Sequence, residues 1–280
     1  MITDNQTNFL YLADTLPKNY PGFFKEFEKV LSKCNIEFAL LPNTKDVWAV
    51  DYMPVQTDLN RFVRFTYNPS YLQTKELLKT ISPVDDICNE IGLAVVKSDI
   101  ILDGGNIICC KSKAIMTDRV FVDNPKYNRQ ELIKKLHEVL QIEKIYFVPE
   151  QPGDFTGHAD GMVRFIDENT VIINDYKNKK EKESFYRAFE IAIYRTGLNY
   201  IKIPYNVYHN DNEDQANGDY INYLQMENIV IIPTFGIKED KEAVKQLETI
   251  FAGQKTATID GNEIANDGGI LNCITWNILK

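Results

Sequence analysis

The feature that most constrains this chain is a pattern of about fifty residues that recurs five times. Each copy reads as an amphipathic helical stretch, a short β-rich run, and then a polar motif containing Asp, Asn, Gly or Cys. The helical stretches are Gly22 to Cys34, Val84 to Ile91, Arg129 to Leu140, Lys182 to Arg195 and Asp240 to Phe251. The β runs that follow them are Glu37 to Leu41, Leu93 to Lys97, Lys144 to Val148, Tyr200 to Pro204 and Thr256 to Asp260. Asp51, Asn106, Asp160, Asn222 and Cys273 mark the five polar motifs, at successive separations of 55, 54, 62 and 51 residues.

Further β-like runs, Arg61 to Tyr67, Ala114 to Phe121, Thr170 to Asp175 and Asn228 to Thr234, lie between a polar motif and the next helix. A unit with several strands and one helix cannot bury its apolar face alone, and closing a circle of such units removes exposed strand edges. The expectation is therefore an α/β fold, a five-fold pseudo-symmetric α/β propeller formed as a single domain over residues 1–280. In such a circle the equivalent motif of each unit points to one axis. Asp51, His158, Asp160 and Cys273, far apart in sequence, are then expected to meet. Read singly, each motif is only a turn after a strand; five in register predict a common site.

Composition narrows the class of function. A formal net charge of −9 argues against a nucleic-acid partner and suits a cationic small molecule. No apolar run approaches the about eighteen residues needed to span a membrane, and Met1 to Tyr20 carries acids and amides where a secretory leader needs a basic and then an apolar region. Five cysteines, without paired spacing, predict free thiols in a reducing compartment, so a cytoplasmic location is expected.

Among those cysteines, Cys273 follows Gly268-Gly269 near the end of the chain. A single thiol is most often a small buried hydrophobe, but here a histidine and two carboxylates occupy equivalent motifs. Of three histidines, His137 falls in a helical stretch and His209 in an acidic loop, whereas His158 follows Gly157 two residues before Asp160. If this piece is a strand, His158 and Asp160 face the same side. Cys with His is the arrangement of nucleophilic thiol catalysis. A cysteine protease needs no cluster of carboxylates around the reacting carbon, whereas two Asp residues match the planar N–H array of a guanidinium. No close Cys/His pairs suggest zinc, and no metal or cofactor is expected.

Together these motifs resemble the guanidino-group-modifying enzymes, specifically the agmatine deiminase and Porphyromonas-type peptidylarginine deiminase branch, with its pentein-like propeller. The resemblance rests on Trp48-Ala49-Val50-Asp51 with Pro54, on Gly104-Gly105-Asn106, and on Gly157-His158-Ala159-Asp160 with Arg164. It continues through Tyr220-Ile221-Asn222-Tyr223 and Gly268-Gly269-Ile270 leading to Cys273-Ile274-Thr275. It implies Cys273 as nucleophile, His158 as acid and base, and Asp51 and Asp160 as guanidinium clamps. Trp48, Asp103, Gly105, Asn106, Arg164 and Asn222 are implied as substrate-binding residues.

The chain departs from that pattern at Val50 and Met53, where the family has Arg and Gly, and at Asp103, where it has Glu. It departs again at Asn272, where the family has His, and at Trp276. Trp48 and Trp276 are candidates for the wall of a substrate-tail pocket or for the core. The acidic loop Asn206 to Asp219 is a candidate lid or tail-recognition segment, with a passive surface loop as the alternative. The resemblance implies hydrolysis of a small agmatine- or arginine-like guanidino compound to a ureido product and ammonia, and is compatible with a homodimer. An amidinotransferase or a peptidylarginine deiminase would use the same site. A propeller that only binds a cation is the other class of reading, though binding alone needs no nucleophile.

Overall fold

The computed structural model describes residues 1–176 and 182–280. Among the described residues lie five three-stranded sheets, and all five share one plan. A central strand pairs antiparallel with a short strand on one side and parallel with an outer strand on the other. The helix connecting the central and outer strands makes the crossover that a parallel pair requires.

In chain order the strands are β1 (Phe9–Ala13), β2 (Phe38–Leu41), β3 (Val55–Asp58), β4 (Arg61–Thr66), β5 (Val95–Ile101), β6 (Ile108–Cys110), β7 (Lys113–Thr117), β8 (Lys144–Val148), β9 (Val163–Asp167), β10 (Thr170–Asn174), β11 (Asn199–Ile203), β12 (Leu224–Met226), β13 (Ile229–Thr234), β14 (Lys255–Asp260) and β15 (Thr275–Ile278). The sheets are ordered β15-β1-β2, β3-β4-β5, β6-β7-β8, β9-β10-β11 and β12-β13-β14. The crossover helices are α1 (Pro21–Lys33), α2 (Val84–Glu90), α3 (Arg129–Leu140), α4 (Glu183–Thr196) and α5 (Asp240–Ile250).

The first sheet joins the two ends of the chain. The last strand, β15, runs antiparallel to β1, with Tyr11 opposite Trp276 and Leu12 opposite Thr275. The polar tail that precedes β15 is thereby fixed beside the motif that follows β2.

Each helix forms where apolar residues recur at helical spacing, and it buries that stripe. Helix α1 buries Phe23, Phe27 and Leu31, α3 buries Leu132, Leu136 and Leu140, and α4 buries Phe185, Phe189 and Ile193. Each such side chain contributes roughly 1.5–3 kcal/mol when fully buried. Helix α3 opens with a capping box, in which Asn128 accepts from the Glu131 amide at 3.0 Å and Glu131 accepts from the Asn128 amide at 3.1 Å. Gly197, at φ 71°, ends α4 in the left-handed conformation.

The expected β run over Ala114 to Phe121 stops early. After β7 the chain turns into the short helix Arg119–Asp123. The side chain of Thr117 donates to the Gly157 carbonyl at 2.5 Å, tying this corner to the loop that carries His158. Trp276 belongs to the core: its ring packs 5.2 Å from Tyr11 and 6.1 Å from Phe62, and its indole N–H donates to the Pro54 carbonyl at 2.8 Å. No helix among the described residues is long and apolar enough to cross a membrane.

Candidate active site

All five polar motifs follow the outer strand of one sheet and precede the first strand of the next. Trp48 to Asp51 enters the single helical turn Ala49–Tyr52, and Gly104–Asn106 is a 3-10 turn. These two turns touch so closely that side chains are excluded between them. A Cβ on Gly104 would lie 1.9 Å from the Val50 carbonyl oxygen; one on Gly105 would lie 2.6 Å from both Asp51 Oδ1 and His158 Nδ1. The Gly105 amide, free to approach, donates to Asp51 Oδ1 at 3.0 Å, and its carbonyl accepts from the Asp160 amide at 3.0 Å. Gly269 lets the fifth motif close on the first, since a Cβ there would lie 2.3 Å from the Trp48 ring.

His158 stands between two carboxylates. Its Nδ1 lies 3.4 Å from Asp51 Oδ1 and its Nε2 lies 3.0 Å from Asp103 Oδ2. Burial works against protonation, but the charge of Asp51 and the hydrogen bond and charge of Asp103, with Asp160 beyond, outweigh it. The imidazole is pushed up to about 10. Burial also pushes the Asp51 carboxyl well above the usual range, with the imidazolium opposing and Asp103 and Asp160 reinforcing the shift.

The thiol occupies the other side. Cys273 Sγ donates to Asp160 Oδ2 at 3.4 Å and accepts from Asn222 Nδ2 at 3.3 Å. Burial, followed by the charges of Asp160 and Asp51, raises the thiol well above its ordinary value, so it is protonated at neutral pH. Asn222 anchors the corner: its amide nitrogen also donates to Asp160 at 3.1 Å, while its oxygen accepts from the backbone of Asn272 at 3.0 Å and of Cys273 at 3.4 Å.

Asp51, His158, Asp160, Asn222, Cys273 and Trp48 all line one cavity of about 770 Å³. The segment following β11 forms part of its wall through residues 210–216, including Asp211, Glu213 and Asp214, with Asp267 nearby. His209 in that segment is exposed, and His137 on α3 meets the Ile142 carbonyl at 2.8 Å, away from the cavity.

Several residues read as site members take other positions or contacts than that reading gives them. His158 and Asp160 do not share a strand face: they lie in the loop between β8 and β9, and both reach the cavity because Gly157, at φ 66°, turns the chain. Arg164 is on β9 outside this cavity, ion-paired with Asp4, donating to the Tyr223 carbonyl at 3.1 Å and stacked 4.6 Å from the Tyr223 ring centre. It lines a second cavity of about 390 Å³, lined also by residues 2–7. Asn106 is buried and uses its oxygen to accept from the Thr117 amide at 2.8 Å, so it holds β7. Asp103 contacts His158 without lining the cavity, and Gly105 serves through its backbone.

Other participants gave no sequence signal. Asn272 donates to Asp160 Oδ2 at 2.8 Å and was visible only as a departure from the resembled pattern. Tyr71, Asp46 and Asp219 also line the cavity. Tyr71 lies in the single 3-10 turn Ser70–Leu72 and Asp46 in a loop, where periodicity says nothing. Asp219 immediately precedes Tyr220-Ile221-Asn222-Tyr223 in sequence.

A buried thiol, a histidine flanked by acids and five three-stranded sheets in a mixed α/β arrangement define the class of fold and site. The chain belongs to the Porphyromonas-type peptidyl-arginine deiminase family, whose model matches residues 19–278. A Mycoplasma mycoides protein whose name places it among agmatine deiminases is 24% identical over 222 residues, 69% of this chain and 60% of that protein. The match to a Photobacterium profundum relative of the same name is 22% identical and covers 69% and 62%. The chain thus spans about 60% of the length of these curated relatives. Among solved structures, the C. jejuni agmatine deiminase superposes with a TM-score of 0.82 at 21% identity, covering 100% of this chain and 96% of the other. A DDAH from Pseudomonas aeruginosa gives 0.59 at 12% identity, covering 97% and 99%. Likeness at those identities concerns the fold.

Proposed function

We propose that this protein is a cysteine-dependent hydrolase that converts a small guanidino compound to a ureido product and ammonia. The observation that carries the reading is the convergence of the Cys273 thiol, the Asp160 carboxylate and the Asp51–His158 pair, backed by Asp103, on a single cavity. The relatives named for agmatine deiminase favour the same chemistry. The five sheets, with β15 returning to β1, support a propeller closed as one domain around this site.

In this reading Asp51 and Asp160 hold the guanidinium plane, leaving its carbon facing Sγ. The bound cation offsets the carboxylates that keep Cys273 protonated, so the thiol gives up its proton to solvent when substrate is present. Thiolate adds to the guanidinium carbon. His158, protonated in the empty site, then gives its proton to one departing nitrogen, and ammonia leaves a covalent thiouronium. Neutral His158 takes a proton from water as the oxygen adds to that carbon. Collapse expels Cys273 as thiolate and releases the ureido product, whose hydroxyl proton ends on ammonia as ammonium. Asn222 and Asn272 hold Asp160 and the Sγ in register.

Further acids of the cavity wall, Asp211, Glu213, Asp214 and Asp267, outnumber Lys182, the one Lys or Arg there among the described residues, and so favour a substrate whose other end is an amine over one ending in a carboxylate. The test is ammonia release by wild type and Cys273→Ser across agmatine, arginine, an arginine peptide, methylated arginines and guanidine, with product mass read with and without an amine acceptor. Release lost in the variant, with a ureido product, supports the proposal. Equal release by both proteins refutes it, and transfer to the acceptor replaces it with amidinotransfer.

A further inference from the structure

The chain between a central strand and its helix is longest in the second sheet: residues 67–83 separate β4 from α2, against residues 235–239 between β13 and α5. This excursion contributes Tyr67, Tyr71, Leu72, Leu77 and Thr80 to the cavity. Tyr71 packs edge-on to Phe155 at 5.4 Å between ring centres and to His158 at 6.3 Å. Its hydroxyl donates to Asp103 Oδ2 at 2.9 Å, the same oxygen that lies 3.0 Å from His158 Nε2. Asp103 Oδ1 is buried with no hydrogen-bond partner among the described residues. One oxygen of this carboxylate therefore serves both donors.

An acceptor shared by two donors holds each less tightly than it would hold one alone. We propose that Tyr71 is a positioning residue that divides Asp103 Oδ2 with His158 and so sets how readily the histidine releases its ring proton. Burial and the charge of Asp103 keep the Tyr71 phenol neutral, so it remains a donor. The other titratable groups facing His158 are Asp51, Asp103, Asp160 and Asp123, the last paired with Arg119 at 3.6 Å. Those carboxylates all favour the imidazolium. Tyr71 is the neighbour that draws on the charge of Asp103, and a general acid works best when it does not hold its proton too firmly. Asp103 stands one methylene short of the Glu of the resembled pattern, and the excursion brings a hydroxyl to it from the other side.

The kinetic consequence rests on the proposed deiminase chemistry; the divided hydrogen bond does not. The experiment compares wild type, Tyr71→Phe and a protein with 3-fluorotyrosine at position 71, a stronger donor of nearly the same shape. The readouts are the low-field proton resonance of His158 Nε2–H and the pH profile of kcat/KM. In Tyr71→Phe the resonance moves downfield, and the alkaline limb rises by on the order of one pH unit, the scale of one charge-assisted hydrogen bond. With KM unchanged, kcat falls ~10-fold, because proton donation is slowed. The fluorinated protein shifts both readouts the opposite way. Resonance and limb unmoved in the fluorinated protein overturn the proposal, and that arm stands even if Tyr71→Phe fails to fold. Shifted resonances without turnover on any guanidino compound would refute the deiminase reading and leave the role of Tyr71 intact.

Discussion

Replacing Gly105 with alanine adds one methyl group at the most crowded point of the site. That methyl would lie 2.6 Å from Asp51 Oδ1, 2.6 Å from His158 Nδ1 and 3.3 Å from Asp160 Oδ2. Ordinary contact needs about a further ångström. These side chains are held from behind: Asp51 through the Gly105 amide, His158 by Asp103, and Asp160 by Asn222 and Asn272. Relief must come from His158 and Asp51 separating. Overpacking of this kind costs roughly 1–3 kcal/mol, which for a chain of this size lowers the melting temperature by about 2–12 °C. A displacement of about 1 Å at the reacting groups costs ~100-fold in rate. The assay is kcat/KM with the best guanidino substrate, alongside thermal unfolding. Gly253→Ala is the control, since a Cβ there meets nothing within 4 Å. Gly105→Ala with kcat/KM within twofold of wild type would refute the idea that this glycine exists to let Asp51 and His158 approach.

Cys273→Ser is expected to abolish turnover with unfolding unchanged, while single replacements of Cys34, Cys88, Cys109 and Cys110 keep the chemistry; thiol-dependent ammonia release checks both. Arg164→Met is expected to cost about 1–3 kcal/mol by unpairing the Tyr223 carbonyl and releasing Asp4, with kcat/KM within fivefold of wild type; loss of activity without loss of stability would return Arg164 to the site. The raised His158 adds stability that is fully present below its ordinary 6.5 and is lost as pH climbs through about 10. Denaturant midpoints should therefore decline across that window in wild type and decline less in His158→Gln; parallel declines would mean that the folded state does not hold this proton.

The sequence announced the order and nature of the elements with good register. The helical stripe of α3 and the strand β8 fall where periodicity placed them, because local spacing alone decides which face can be buried. The short first strands of the sheets, such as β6 and β12, were illegible, since three residues cannot display a period of two. Arg164 illustrates the limit for the site. Its place after a His-Asp motif suggests the cavity, yet its position on β9 directs it to Asp4 and Tyr223.

What the sequence by itself determined is the repeated unit and the polar motifs after its outer strands, which carry Asp51, His158, Asp160, Asn222 and Cys273. Only the tertiary structure decided how they meet. The partnership of His158 with Asp103 and of Cys273 with Asp160 and Asn222 joins residues from 51 to 113 positions apart. Tyr71 on Asp103 and Asn272 on Asp160 likewise follow from how the sheets and their connecting segments pack. Periodicity reports which way a side chain faces along its own element. Contacts between elements depend on long-range pairing, such as that of β15 with β1, and no local pattern encodes them.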